Sequence, residues 1–127
     1  MNKHERLKAS QDYAKEAKEL ISFGAESHYI MNALYYSMFN SVLAVLDIDD
    51  FSGYTHDKIF ELFDEKLVKK KKFPEELFDA LKFAKTFRHK CDDDSSCELV
   101  PEPTLEQVQY LYPKVIDFLD ASEQLAQ

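Results

Sequence analysis

The strongest constraint on the fold is the long segment from Ala25 to Leu46, which is rich in apolar residues and contains neither glycine nor proline. Its apolar positions cover more than one side of a helix, whereas a surface helix carries a single apolar stripe. These positions are Ile30, Met31, Leu34, Tyr35, Met38, Phe39, Val42, Val45 and Leu46. The segment therefore predicts a central helix that other helices contact on two sides.

Capping residues mark two more helices in the first half of the chain. Asn2 followed by Glu5 is a helix start of the capping-box type, and Gly24 predicts the end of this first helix. Thr55 predicts the N-cap of a third helix. We expect that helix to end at the lysines of 69–72, because cations complement the negative end of a helix.

The second half of the chain predicts two further helices. Pro74 suits the first position of a fourth helix. The polar stretch 92–103 predicts a loop, and Thr104 with Gln107 forms another capping box before the last helix. Pro113 inside that helix predicts a kink or a split, because proline removes one backbone hydrogen bond. Together the segments predict an all-α, antiparallel up-and-down bundle of about five helices.

Length and charge limit the organisation and the ligands of the chain. Its 127 residues fit one domain, 1–127. No membrane-spanning stretch and no signal peptide is recognisable, so we expect a cytoplasmic protein that does not associate with a membrane. The formal net charge of −8 repels phosphate backbones, which disfavours non-specific nucleic-acid binding and favours a protein partner or a small ligand in a local basic pocket.

Cys91 and Cys97 do not form a disulfide framework, and a reducing compartment keeps them as thiols. A local disulfide between them is the alternative for a hyperthermophile. With His89 and the aspartates of 92–94 they suggest a metal site, but zinc sites offer paired ligands at short spacings twice over. We therefore predict neither a metal site nor a cofactor.

Three segments in order resemble the HEPN family of small helical bundles. They are NALYYSMFNSVLAVL (32–46), THDKIFELFDEKLVKKKKFPEEL (55–77) and FRHKCDD (87–93). The resemblance covers nearly the whole chain, from about Ala14 to Leu125. It implies a HEPN-like bundle, closest to small uncharacterised members that are often partners of minimal nucleotidyltransferases.

The resemblance also bears on catalysis. Related HEPN toxins are metal-independent ribonucleases that use an arginine and, after four to six intervening residues, a histidine. Arg88 matches the arginine, but the positions of the histidine hold Asp93, Asp94 and Ser95, and His89 does not fit the spacing. The resemblance therefore implies a chain without the ribonuclease motif, and we assign no catalytic residue.

Two further departures from the family lie in the double-tyrosine helix. Ala33 stands where relatives often have an arginine, and Asn40 stands where they often have a histidine. Both changes remove polar chemistry that the family carries there. The resemblance then implies a non-catalytic interaction or nucleotide-associated module. The resemblance further implies a homodimer with Arg88 in a shared cleft, and a minimal nucleotidyltransferase as the partner in a toxin–antitoxin-type system.

Five residues are candidates for a ligand or partner cleft, namely Arg88, His89, Asp92, His56 and Tyr36. Arg88 either binds an anion or forms an ion pair with Asp92 one helical turn later. His56 either faces a ligand or makes a structural hydrogen bond, and His89 lies beside Arg88. Tyr36 lies at the bundle edge or in a dimer face, whereas its neighbour Tyr35 is expected in the core.

Two other functions remain open. The chain could be a ribonuclease toxin in which Arg88 works with His89 or His56 from an unexpected direction. It could also hold a small molecule, such as a nucleotide, in a pocket between helices near Arg88.

Overall fold

The computed structural model describes residues 1–88 and 101–126. Within these ranges the chain forms five α-helices and no strand. The helices are α1 (Lys3–Phe23), α2 (Ser27–Val45), α3 (His56–Phe63), α4 (Glu75–Lys85) and α5 (Leu105–Ala126). The prediction of an all-α bundle of about five helices is confirmed.

Local hydrogen bonds explain why the helices begin and end where they do. Asn2 accepts a hydrogen bond from the backbone N–H of Glu5 at 2.9 Å, so it satisfies one of the free N–H groups at the start of α1. Gly24 ends α1 in the left-handed conformation, with φ 73°. Thr55 accepts from the N–H of Lys58 at 3.0 Å and caps α3. These predicted caps are confirmed.

The capping box of α5 is complete, because both of its hydrogen bonds form. The Gln107 side chain accepts from the Thr104 N–H at 2.9 Å, and the Thr104 hydroxyl accepts from the Gln107 N–H at 3.1 Å. Pro113 lies inside an uninterrupted α5, so the expectation that it splits the helix is wrong. The flanking turns supply enough backbone hydrogen bonds for the helix to continue past the missing one.

The third helix differs from its predicted extent. The α-helix ends at Phe63, and the chain continues as a wider π-helical turn over Asp64–Val68. The N–H of Lys69 bonds the carbonyl of Asp64, five residues earlier, at 2.8 Å. The lysine run therefore follows a π-helical turn and not the last turn of an α-helix.

Helix α2 lies at the centre of the bundle, as the sequence predicts, and 13 of its 19 residues are buried. Ser37 donates to the carbonyl of Ser10 in α1 at 2.7 Å, and Ser122 of α5 donates to the hydroxyl of Ser41 at 3.3 Å. Small residues at these contacts allow the neighbouring backbones to approach closely. Helix α2 thus packs against α1 on one side and α5 on another.

Aromatic rings join the remaining helices to this centre. Phe63 of α3 packs against Phe73 at 4.9 Å between ring centroids, and Phe73 packs against Phe118 of α5 at 4.8 Å. All three rings are buried. In the part of the chain that the structure describes, no helix combines the length and the apolar character needed to cross a bilayer.

Candidate functional site

A buried tyrosine and a histidine form the centre of the candidate site. Tyr35 in α2 is 1% exposed, and its hydroxyl lies 2.6 Å from Nδ1 of His56, the first residue of α3. The His56 ring stacks on Phe39, one turn after Tyr35, with 4.2 Å between centroids and 10° between planes. Two aromatic rings of α2 therefore fix the orientation of the imidazole. We call Tyr35, Tyr36, His56 and Arg88 the Tyr35 cluster.

Burial determines the acidity of the Tyr35 hydroxyl. Removal from water raises the pKa of Tyr35 well above its ordinary value, because the phenolate cannot be solvated there. The positive charge of Arg88 acts in the opposite direction and lowers this pKa, but burial is the larger effect. Tyr35 is thus a neutral hydrogen-bonding group at physiological pH, and Arg88 lies within electrostatic range of it.

Arg88 follows the end of α4 and is half-buried. Its Nε atom is buried and has no hydrogen-bond partner among the described residues. Such an atom loses its bond to water without a replacement, which is costly unless a ligand or partner supplies an acceptor. The alternative partner Asp92 and the candidate His89 both lie outside the described residues. Of the predicted site residues, the fold brings His56, Tyr36 and Arg88 to the surroundings of Tyr35.

Tyr36 is half-buried at the edge of the bundle. The edge of the bundle is one of the two positions predicted for it, and a dimer face is the other. Its ring contacts the edge of Tyr35 at 5.1 Å and lies 5.9 Å from the ring of Tyr13 in α1. It also lines a groove of about 400 Å³ beside α1, together with Phe51 and Arg6. This groove therefore connects Tyr36, at the outer side of the Tyr35 cluster, with a second polar group of the bundle, the side chain of Arg6.

That second polar group, a buried arginine, was missed in the sequence. Arg6 in α1 is 8% exposed, donates to Oδ1 of Asn40 at 3.1 Å and donates to the carbonyl of Asp49 at 2.8 Å. Its guanidinium lies 5.3 Å from the centroid of the Phe51 ring, at cation–π distance. Arg6 forms no ion pair within residues 1–88 and 101–126, and its buried Nε has no hydrogen-bond partner.

Asn40 has a polar role that the sequence did not reveal. Its amide accepts from Arg6 and donates to the carbonyl of Tyr36 at 2.9 Å. The inference that α2 has lost its polar chemistry at this position therefore needs correction. A usable signal was present in α1, where Arg6, Ser10 and Ala14 recur every fourth residue. Residues at this spacing share one face of a helix, and the small side chains of Ser10 and Ala14 on that face indicate a close contact with another helix. Arg6 lies on the same face, so it could have been expected at the same contact.

The described residues hold no group of three or more histidine, cysteine, aspartate or glutamate side chains that could bind a metal ion. The cysteine-containing cluster weighed in the sequence lies outside those residues. What the site offers chemically is a guanidinium, a histidine and a neutral phenol. This set can bind an anion or a planar polar ligand.

Comparisons with known proteins give one informative similarity. No protein-family model matches the chain. A protein of Methanocaldococcus jannaschii named "Putative toxin MJ0142" is 25% identical over 119 residues, which cover 94% of this chain and 78% of that protein. The matched part of this chain is long enough to include all four residues of the Tyr35 cluster. It relates the chain to a protein whose name describes a toxin.

Proposed function

We propose that this chain is the HEPN-like component of a toxin–antitoxin-type pair, and that it acts by binding and not by catalysis. The toxin name of its relative supports the type of system. The observation that carries the binding role is the buried Nε of Arg88, which has no hydrogen-bond partner within residues 1–88 and 101–126. Arg88 lies within electrostatic range of Tyr35, whose hydroxyl is hydrogen-bonded to His56. The proposed ligand is an anionic group of a partner protein or a nucleotide.

The guanidinium determines the ligand class. Arginine recognises carboxylates and phosphates through two parallel N–H groups, one of which is often Nε. A ligand oxygen near Arg88 would supply the acceptor that its Nε lacks. Because the rest of the chain is acidic, with a net charge of −8, binding would be confined to this local site.

The chemistry of the cluster favours binding over RNA cleavage. Cleavage without a metal needs groups that remove and deliver protons at the ribose hydroxyl and the leaving oxygen. The raised pKa of Tyr35 keeps its hydroxyl protonated, so it is unavailable as a base and is a poor acid, and Nδ1 of His56 is already hydrogen-bonded to that hydroxyl. No histidine occupies 93–95, where the family motif requires one.

The assembly is proposed from the HEPN resemblance. The chain would form a homodimer with Arg88 of both copies in a shared cleft, and a minimal nucleotidyltransferase would be its partner. The half-exposed ring of Tyr36 suits the edge of such a contact. Sedimentation equilibrium of the purified chain measures the dimer directly.

The decisive experiment combines RNA cleavage with arginine NMR. The purified chain is incubated with several RNAs in EDTA, with Arg88→Ala as the test variant and Lys114→Ala as the control. We expect no cleavage by any of them. In parallel, inorganic phosphate should shift the Nε–H resonance of Arg88 more than that of Arg6. Cleavage that disappears only in Arg88→Ala, or an unchanged Arg88 resonance, would overturn the proposal.

A metal-independent ribonuclease toxin is the second candidate. Its specific support is that Tyr35 is hydrogen-bonded to His56 and lies within electrostatic range of Arg88, so a histidine and an arginine share one site. In that case Arg88→Ala and His56→Ala should each abolish cleavage, while Tyr35→Phe should preserve most of it.

A further inference from the structure

A shallow apolar groove runs between α1 and α5, on a surface that shares no lining residue with the Tyr35 cluster. Its volume is about 320 Å³. The two helices are antiparallel, because α1 runs antiparallel to α2 and α5 runs parallel to α2. The first relation follows from the contacts of Arg6 with Asn40 and of Ser10 with Ser37, and the second from those of His28 with Glu102 and of Ser41 with Ser122. Gln11 in α1 donates to Glu123 in α5 at 2.7 Å. The floor is made of apolar side chains, which are Leu7, Ala14, Tyr112, Ile116 and Leu119. We call this surface the α1–α5 groove.

The two rims of the α1–α5 groove carry opposite charges. Lys15 and Lys18 line the α1 side, whereas Asp120 and Glu123 line the α5 side. None of these four side chains forms an ion pair with any residue in the described ranges. Lys15, Lys18 and Asp120 are exposed, so their charges face solvent on either side of the apolar floor. Glu123 accepts the hydrogen bond from the neutral amide of Gln11, which leaves its negative charge without a cation among the described residues.

We propose that the α1–α5 groove binds an amphipathic α-helix of a partner protein. One flank of that helix carries acidic residues against Lys15 and Lys18, and the other flank carries basic residues against Asp120 and Glu123. Its apolar face fills the floor. Such a helix supplies each rim with the opposite charge and covers the apolar side chains in the same step.

The geometry of the groove favours a helix over other occupants. Two antiparallel helices present ridges of side chains at spacings of three and four residues, and these ridges accept a third helix. An extended peptide would need unpaired backbone groups, which the interior of a helix does not offer. The same groove of a second copy is concave as well, so two grooves facing each other would leave their floors unfilled.

The length of the groove sets the length of the helix. Leu7 and Lys18 lie about 16 Å apart along α1 at 1.5 Å per residue, which corresponds to about three helical turns. Three turns present apolar side chains at i, i+3 or i+4, and i+7. The proposal does not depend on the function proposed above, because Arg88 and His56 take no part in it.

The test uses three designed helical peptides with the same apolar face. The mixed peptide carries glutamates on one flank and lysines on the other, the second carries lysines on both flanks, and the third carries glutamates on both. Binding to the purified chain is measured by isothermal titration. We expect the mixed peptide to bind about tenfold more tightly than either other peptide, since each exposed ion pair contributes modestly.

A charge reversal on one rim makes the prediction sharper. In the double variant Lys15→Glu, Lys18→Glu both rims are acidic, so the all-lysine peptide should become the tightest ligand by about tenfold. Both lysines are exposed, so folding should be preserved. The matched control Lys58→Glu, Lys70→Glu makes the same change in charge away from the groove and should keep the preference for the mixed peptide.

Three results would overturn the proposal. Absence of binding by all three peptides would remove the helix site. Equal affinity for the three peptides in the unmodified chain would show that the rims do not select charge. A dimer in sedimentation that dissociates only in the Lys15→Glu, Lys18→Glu variant would make a second copy the occupant. Each result leaves the RNA and phosphate experiments at Arg88 unaffected.

Discussion

Replacing Tyr35 with phenylalanine tests the hydrogen bond at the centre of the candidate site. The substitution removes one oxygen from a side chain that is 1% exposed and leaves the ring, so it opens no large cavity. The hydroxyl lies 2.6 Å from Nδ1 of His56. A hydrogen bond of this kind contributes about 0.5–1.5 kcal/mol net, and leaving Nδ1 of the half-buried His56 without this partner adds to the cost.

The expected loss is about 1–2 kcal/mol in the free energy of unfolding. For 127 residues, an unfolding entropy of roughly 2.1 cal/mol/K per residue converts this loss to a fall in Tm of about 4–7 °C. Urea denaturation followed by circular dichroism measures the free energy, and a thermal scan measures the Tm. Tyr29→Phe is the matched control, because Tyr29 is 59% exposed, and it should change stability by less than about 0.5 kcal/mol.

A double-mutant cycle separates the bond from the rest of the cluster. In a His56→Leu background the Tyr35 hydroxyl is buried without that partner, so removing it should be neutral or stabilising. The coupling energy should therefore be about 1–2 kcal/mol. The reasoning is refuted if Tyr35→Phe costs less than about 0.3 kcal/mol, or if it costs the same in both backgrounds.

Three further outcomes follow from the core, the last helix and the tyrosines. Phe118→Ala should cost about 3–5 kcal/mol in urea denaturation, because the ring is fully buried, whereas Tyr110→Ala should cost under about 0.5 kcal/mol because its ring is 65% exposed. Pro113→Ala should stabilise the chain by about 1–3 kcal/mol, since it restores a backbone N–H inside α5, and an unchanged urea midpoint would contradict this. In an alkaline ultraviolet titration, Tyr35 should ionise only well above its ordinary pKa, because burial raises that pKa. Because the folded pKa of Tyr35 lies above its unfolded value of about 10, its contribution to stability should be present below pH 10 and lost as the pH rises further.

The fold could be predicted largely because its signals are local. A cap such as Asn2 or Thr104 acts on backbone N–H groups within three residues, so its effect can be inferred from a short stretch of sequence. The two-sided apolar pattern of α2 similarly required no knowledge of its neighbours. The π-helical turn at Asp64–Val68 could not be predicted in this way, because the α pattern continues through it and only the backbone bond of Lys69 reveals the change.

The candidate site was predictable only in part, because its contacts join distant residues. His56 and Arg88 were identified through the family resemblance, but the bond of His56 to Tyr35 depends on how α3 crosses α2. Arg6 and Asn40 are separated by 34 positions, and their contact depends on the antiparallel register of α1 and α2. Spacing within one helix shows which residues share a face, but not which face of the next helix they meet.

The pairing of Arg6 with a neutral amide leads to a last prediction. Arg6 is already removed from water in the unmodified chain. A carboxylate at position 40 would therefore be attracted to the guanidinium without any further cost of burying the arginine. Asn40→Asp keeps the acceptor for Arg6 and replaces a bond between a cation and a neutral amide with an ion pair between opposite charges. It also removes the donor to the Tyr36 carbonyl. The net gain at pH 7 should be about 1 kcal/mol.

The pH dependence identifies the origin of that gain. The guanidinium should hold the pKa of the introduced carboxyl below the ordinary value of about 4, so the stabilisation should be present above pH 4 and lost as the pH falls. At pH 3 the variant should approach or fall below the unmodified chain in urea denaturation, because the bond to Tyr36 is missing. If the variant is instead less stable at pH 7 and recovers at pH 3, desolvation of the carboxylate outweighs its attraction to Arg6. Carbonyl oxygens and the Phe51 ring would then already satisfy the buried cation.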